Sequence, residues 1–407
     1  MRRLAVGLAT VALLASACAA EPVPPPVQHL SMRLTDSTST FGIRLVDQLL
    51  AEPGAGNVFI SPLSATILLS MAASAAHGET RTAMLQSLGL DPTVDPSAEI
   101  SATIKRLAQS DANAQLELAQ AVWVKQKLPL SPAYVAKLRN DYVAQMANLD
   151  FTSPDAASVV NRWVDSATHH KIDKLVERFD ANTVGFLVNA TYFHALWSTQ
   201  FKSTAPAAFH TFGGTAVSAP MMQRDESVVQ VLAPDYSAAL LPYKGGRFSA
   251  LLMLPNHRLS AKDFSGFLTE SRWNQTLQAL HKSVGSALDG KCAYHEGTPD
   301  ISVDCMGTLV MPKFKLDYKK DLTETLSAMG MPMPAGVPEF CGECALSQVM
   351  QKTYLEVDEK GTTAAAATGG AVTTAARLPM VVDHPFVFAL IDNATDAPLF
   401  LGAIGTV

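Results

Sequence analysis

The chain has 407 residues, 48% of them hydrophobic and 17% charged, with a formal charge of −6. That composition excludes a disordered chain and provides for a sizeable core. It carries no basic excess, which argues against nucleic acid as a partner.

The first residues read as a targeting segment. Arg2 and Arg3 precede an almost wholly apolar run, 4–17, which ends in small residues before Cys18. The run is short for a bilayer span. The pattern resembles a bacterial lipoprotein signal over residues 1–18, in which Cys18 is acylated after cleavage, although Ala15 stands where a leucine is usual. Plain secretion and a retained anchor are the alternatives. Residues 19–34 form a tether, and Pro22, Pro24, Pro25 and Pro26 keep it extended. Residues 35–407 read as one domain. The expected location is therefore extracellular or at the cell surface, with membrane contact only through the lipid.

Four cysteines remain, Cys292, Cys305, Cys341 and Cys344. An exported chain meets oxidising conditions, and four thiols allow three pairings. Cys292 with Cys305 and Cys341 with Cys344 are favoured, because each closes a local loop. A metal site using these thiols with His295 is the alternative, and one Cys-x-x-Cys supports it weakly.

Early elements read as helices. Phe41, Leu45 and Leu49 share one face at helical spacing. Ser61-Pro62 is a cap with proline in the first turn, opening a helix whose apolar run reaches Ala76 and which Gly78 should end. Glu79 to Leu88 reads as another helix. Asp155 to Val176 reads as a further one, with Val160, Trp163, Val164 and Ile172 on its apolar side and His169-His170 solvated. Later elements read as strands: Gly185 to Phe193, Ser237 to Pro242 paired with Ser249 to Leu254, Thr308 to Met311, Gln348 to Val357, Phe386 to Ile391 and Leu399 to Ile404. Helices gathered early and strands gathered late predict an α+β fold.

Residues 361–376, GTTAAAATGGAVTTAA, are uniformly small and uncharged. One reading is a low-complexity surface loop. The other is a segment that must at times become a central strand. Such a strand tolerates neither charge facing a core nor proline, which lacks the N–H. Proline returns only at Pro379.

More specific blocks carry a resemblance. Asn57-Val-Phe-Ile-Ser-Pro-Leu-Ser64, Leu187-Val-Asn-Ala-Thr-Tyr-Phe193 with Trp197, Met311-Pro-Lys-Phe-Lys315, Glu359-Lys-Gly-Thr-Thr-Ala-Ala-Ala-Ala-Thr368 and Asp383-His-Pro-Phe-Val-Phe388 stand in family order and spacing. From Phe41 onward the chain resembles the serpin family. The resemblance implies an α+β fold of three sheets and about nine helices with an exposed reactive loop. It implies a monomer without cofactor or metal, whose partner is a target serine protease. The protease cuts the loop, the cut loop enters the largest sheet, and the acyl-enzyme is trapped covalently before hydrolysis.

Roles follow from that resemblance. Glu359 would anchor the loop base, Gly361 would be the hinge, and Thr362, Ala364, Ala365, Ala366, Ala367 and Thr368 would enter first. Counting along the loop places the scissile bond at Ala375-Ala376, with Thr374 and Arg377 as alternates. A small residue there suits an elastase- or subtilisin-like pocket, and Arg377 a trypsin-like one. Ser61, Ser64 and Asn189 resemble the polar cluster where the strands part, with Gln351 in place of a common histidine. Trp197 would pack over the point where insertion starts. Capping by Ser61 and ordinary core packing by the others are the plainer readings. Residues 284–307 depart from the family as an insertion.

An enzyme reading lacks residues: no Gly-x-Ser-x-Gly, His-Glu-x-x-His or phosphate-loop motif occurs. The rival is a non-inhibitory serpin acting as a binding module. It predicts a hinge spoiled by charge, proline or bulk.

Overall fold

The computed structural model describes residues 32–109, 111–128, 130–288, 301–362 and 379–407. The core is built on a nine-stranded sheet whose central strands, Phe248–Pro255, Phe386–Asp392 and Pro398–Ile404, are buried at every position. Covered on both faces, they read as continuous apolar runs instead of alternating ones. Their order places Phe386–Asp392 between Phe248–Pro255 and Pro398–Ile404, all antiparallel. Short strand Val58–Ile60 closes one side. Gly402 permits its approach, since a Cβ there would lie 2.2 Å from the Val58 carbonyl oxygen.

Ser61 caps helix α1 (Pro62–Ala73), its hydroxyl accepting from the Ser64 N–H. The helix ends at Ala73, earlier than the apolar run suggests, and Gly78 opens the next helix, Gly78–Ser87, instead of ending the first. A second correction concerns Asp155 to Val176. Helix α2 (Ala156–Ala167) stops short, because His169 and His170 take positive φ of 50° and 60°. The His pair therefore lies past the helix. Ile172 is buried off it, against Val160 and Val164. Ten helices lie among the described residues.

A second sheet carries the candidate site. Strand β1 (Ala114–Val124) pairs in parallel with β2 (Gln145–Asn148) and antiparallel with the long β3 (Gly185–Leu196). Strand β4 (Phe314–Asp321) pairs antiparallel with β5 (Met350–Val357). In β5, Gln351, Thr353, Leu355 and Val357 all face inward, as the alternation predicts. A two-residue strand, β6 (Gly361–Thr362), lies antiparallel on the upper end of β3, with Gly361 opposite Leu196 and Thr362 opposite Ala195. Among the described residues no ladder joins β3 to β5. Thr191, Tyr192 and Phe193 of β3 nevertheless share a cleft with Tyr354 of β5.

Candidate functional site at the seam of the split sheet

The seam between β3 and β5 has a polar floor and a polar top. At the floor, the Gln351 amide pairs with the backbone of Ser61. Ser61 N–H donates to Oε1 at 3.1 Å, and Nε2 donates to the Ser61 carbonyl at 3.0 Å. The Ser61 hydroxyl donates to Leu399 O at 2.7 Å, and Thr353 Oγ1 to Phe59 O at 2.7 Å. Strand β5 is thereby fixed to the start of α1 and to the core sheet. Across the seam, Ser64 Oγ donates to Asn189 Oδ1 on β3, which also accepts from Thr191 Oγ1 at 3.1 Å. Asn189 Nδ2 is buried with no hydrogen-bond partner among the described residues. An unpaired buried donor costs about 1–3 kcal/mol, so the floor holds one unmet demand.

The structure thus brings Ser61, Ser64, Asn189 and Gln351 together. Trp197 stands apart from them. It directly follows β3, eight residues on from Asn189, about 26 Å at strand spacing, at the top. Its ring stacks on Tyr243 with centroids 4.3 Å apart. Its indole N–H donates to Asp358 O at 2.9 Å, and its backbone N–H to Lys360 O at 2.8 Å. Phe201 N–H donates to Glu359 O at 2.8 Å. The Asp358 carboxylate accepts from the N–H groups of Lys360 and Gly361. These bonds hold the chain leaving β5 against the residues that follow β3 and close its turn. Gly361 is required by contact: a Cβ there would lie 2.2 Å from Ala195 O.

Glu359 meets Lys313 Nζ at 2.5 Å and the Ser203 hydroxyl. Burial pushes its carboxyl up, but the hydrogen bonds from Lys313 and Ser203 outweigh that and hold it below the usual carboxylate range. Lys313, Ser203 and Asp358 were not singled out from sequence. Lys313 lies within the block Met311 to Lys315, but nothing local marks it as the partner of a residue 46 positions on.

Comparison with known proteins gives the frame. A family profile described as serpin (serine protease inhibitor) matches residues 36–406. The chain belongs to the serpin family. Iripin-3 of Ixodes ricinus is 31% identical over 396 residues, covering 91% of this chain and 94% of that protein. Leukocyte elastase inhibitor A of Mus musculus is 28% identical, covering 91% and 99%. Among solved structures, the thermophilic serpin tengpin in its native state is 25% identical, with TM-score 0.75 over 92% of this chain and 94% of that one. Human thyroxine-binding globulin shares the fold at TM-score 0.77 and 22% identity, covering 92% and 99%. The serpin fold and the α+β class expected from sequence are both present. Relatives named for inhibition place this serpin among protease inhibitors in general.

Several expected residues lie outside the described ones: Ala364, Ala365, Ala366, Ala367, Thr368, Thr374, Ala375, Ala376 and Arg377 of the loop, together with Cys18, Cys292 and His295. Cys305 is on strand Ser302–Pro312, but its side chain is not among those described. Cys341 and Cys344 lie sulfur to sulfur, with Cα atoms 5.2 Å apart.

Proposed function

We propose that this serpin is an extracellular suicide inhibitor of serine proteases. The observation that carries the reading is β6: Gly361 and Thr362 already lie on β3, at the mouth of a seam that no ladder closes among the described residues. The chain that follows is small, uncharged and free of proline as far as Ala376. Continued in the same register, it would bring Ala364 opposite Phe193, Thr368 opposite Asn189 and Val372 opposite Gly185. Even-numbered residues would then face the core and odd-numbered ones the side of α2. The new strand would supply β3 and β5 with backbone partners. After loop cleavage the released free energy would drag the acylated protease away from its starting site.

The small residues around Ala375-Ala376 fit an elastase- or subtilisin-like protease, and Arg377 a trypsin-like one. Acylation at Cys18 would hold the domain at the cell surface. The Cys341 and Cys344 sulfurs are placed for a disulfide.

The test is to mix the purified chain with elastase-, subtilisin-, chymotrypsin- and trypsin-like proteases, then run denaturing gels and intact mass. A denaturation-resistant complex with a released peptide beginning at Ala376 is the expected result. Clean cleavage without complex across all four, and no rise in thermal stability of the cut chain, would overturn the reading in favour of a binding module.

A further inference from the structure

The segment leaving α2, residues 168–174, crosses the outer face of the seam and is fastened on both sides of it. On the far side Lys171 Nζ lies 3.7 Å from Glu356 of β5 and over the Tyr354 ring. Lys352 of β5 reaches Asp173 at 3.8 Å and donates to Lys174 O at 3.3 Å. On the near side Ile172 is buried in a cluster with Val188 of β3, and the polar fastening among the described residues is an imidazole. His169 Nε2 meets Glu117 Oε1 of β1 at 2.8 Å, and its ring lies on Tyr192 of β3 with centroids 4.4 Å apart. Glu117 and Tyr192 are direct cross-strand partners. His169 therefore sits across the β1–β3 pair, on the strand that borders the seam.

The backbone beneath this contact is strained. His169 and His170 are consecutive non-glycine residues in the left-handed region, a costly conformation for any residue with a Cβ. Two such residues persist where neighbours hold them. His170 is held by its ring nitrogen on Asp165 of α2 at 2.7 Å. The His169 backbone N–H donates to Ser166 O of α2, and its ring meets Glu117, Gln115 and Tyr192 of the sheet.

We propose that His169 is a positioning residue that clasps the 168–174 segment over the seam, and that its protonation slows entry of the loop strand. The inference rests on the insertion reading above. The entering strand must pass beside Tyr192, beneath the turn that His169 holds down. Imidazole gains its charge as pH falls from 8 to 5. A protonated ring bonds to the Glu117 carboxylate with charge assistance, and the clasp tightens. The ionisable groups around His169 are Glu117 on β1, Tyr192 and His194 on β3, Asp165 on α2, His170 and Lys171 on its own segment, and Tyr354 and Glu356 on β5. Gln115 adds a neutral amide 3.1 Å from the ring. The pair is partly solvated, so the effect is a few-fold.

The probe is an acetylated, fluorophore-labelled peptide with the sequence of residues 362–375, and the readout is its rate of uptake by the purified chain. Uptake by the unaltered chain should be about threefold slower at pH 5.5 than at pH 7.5. His169→Gln and Glu117→Gln should each flatten that profile, while His170→Gln should keep it. A flat profile in the unaltered chain, or a profile that survives His169→Gln or is lost in His170→Gln, overturns the clasp while leaving insertion intact. No uptake by any variant at any pH overturns the insertion reading and the clasp with it.

Discussion

The side chain of Gln351 hydrogen-bonds both to the N–H and to the carbonyl of Ser61, across 290 residues of sequence. The amide acts as a peptide group would, extending the backbone pairing from β5 to the start of α1. Both residues are buried. Replacing Gln351 by Leu would leave a donor and an acceptor unmet, so the expected loss is about 2–4 kcal/mol. Thermal unfolding followed by circular dichroism would measure it. An unchanged midpoint would mean that water replaces the amide.

Glu359 sets an acid limb. Its carboxyl is held below its unfolded value by Lys313 and Ser203 against the opposing effect of burial. A depressed folded value stabilises at pH above the unfolded carboxylate range, about 4.3, and that stability is lost as pH falls through the folded value. Glu359→Gln should therefore lower stability by about 1–2 kcal/mol at pH 7 and converge with the parent chain once the pH has fallen through the folded value. Urea unfolding at a series of pH values would show the convergence. Parallel curves would place the acid limb elsewhere.

Gly361 touches Ala195 O and the Leu196 Cα too closely for any side chain. Gly361→Val should lift β6 from β3. Amide exchange should quicken where β6 pairs with Ala195 and Leu196, and an added protease should cut the loop base faster. If exchange at these positions is unaltered, β6 is not a paired strand in solution.

Register distinguishes neighbouring loop positions. Ala364 would face the core opposite Phe193, which is 7% exposed, and Ala365 would lie opposite the half-buried Tyr192 on the other face. Burying an unpaired guanidinium is prohibitive, while one on the outer face keeps contact with water. Ala364→Arg should turn the inhibitor into a substrate, with the covalent complex on denaturing gels falling at least tenfold. Ala365→Arg should retain most of it. Equal loss in both would reject the register.

Much of the fold was legible in the chain itself. Ser61 before Pro62 announced a capped helix, because capping is settled by a hydroxyl and a missing N–H within one turn. The alternation from Gln351 to Val357 announced an inward face, because strand geometry has period two. The order of the serpin blocks pointed to the serpin fold. Strand β1 stayed hidden, since AQLELAQAVWV mixes a half-buried edge with a fully buried end. The end of α2 was missed because periodicity runs smoothly through to Ile172. The left-handed turn at 169–170 meets Glu117 and Tyr192 of the sheet through His169, and Asp165 through His170. Lys313 and Ser203 around Glu359, and Asp358 beneath the Trp197 indole, were equally out of reach. Local propensity and spacing act over a few residues, and the sequence by itself determined whatever depends on them. The partners that meet at the top of the seam and over its face lie 46 to 161 positions apart, so only the tertiary structure decided which groups meet.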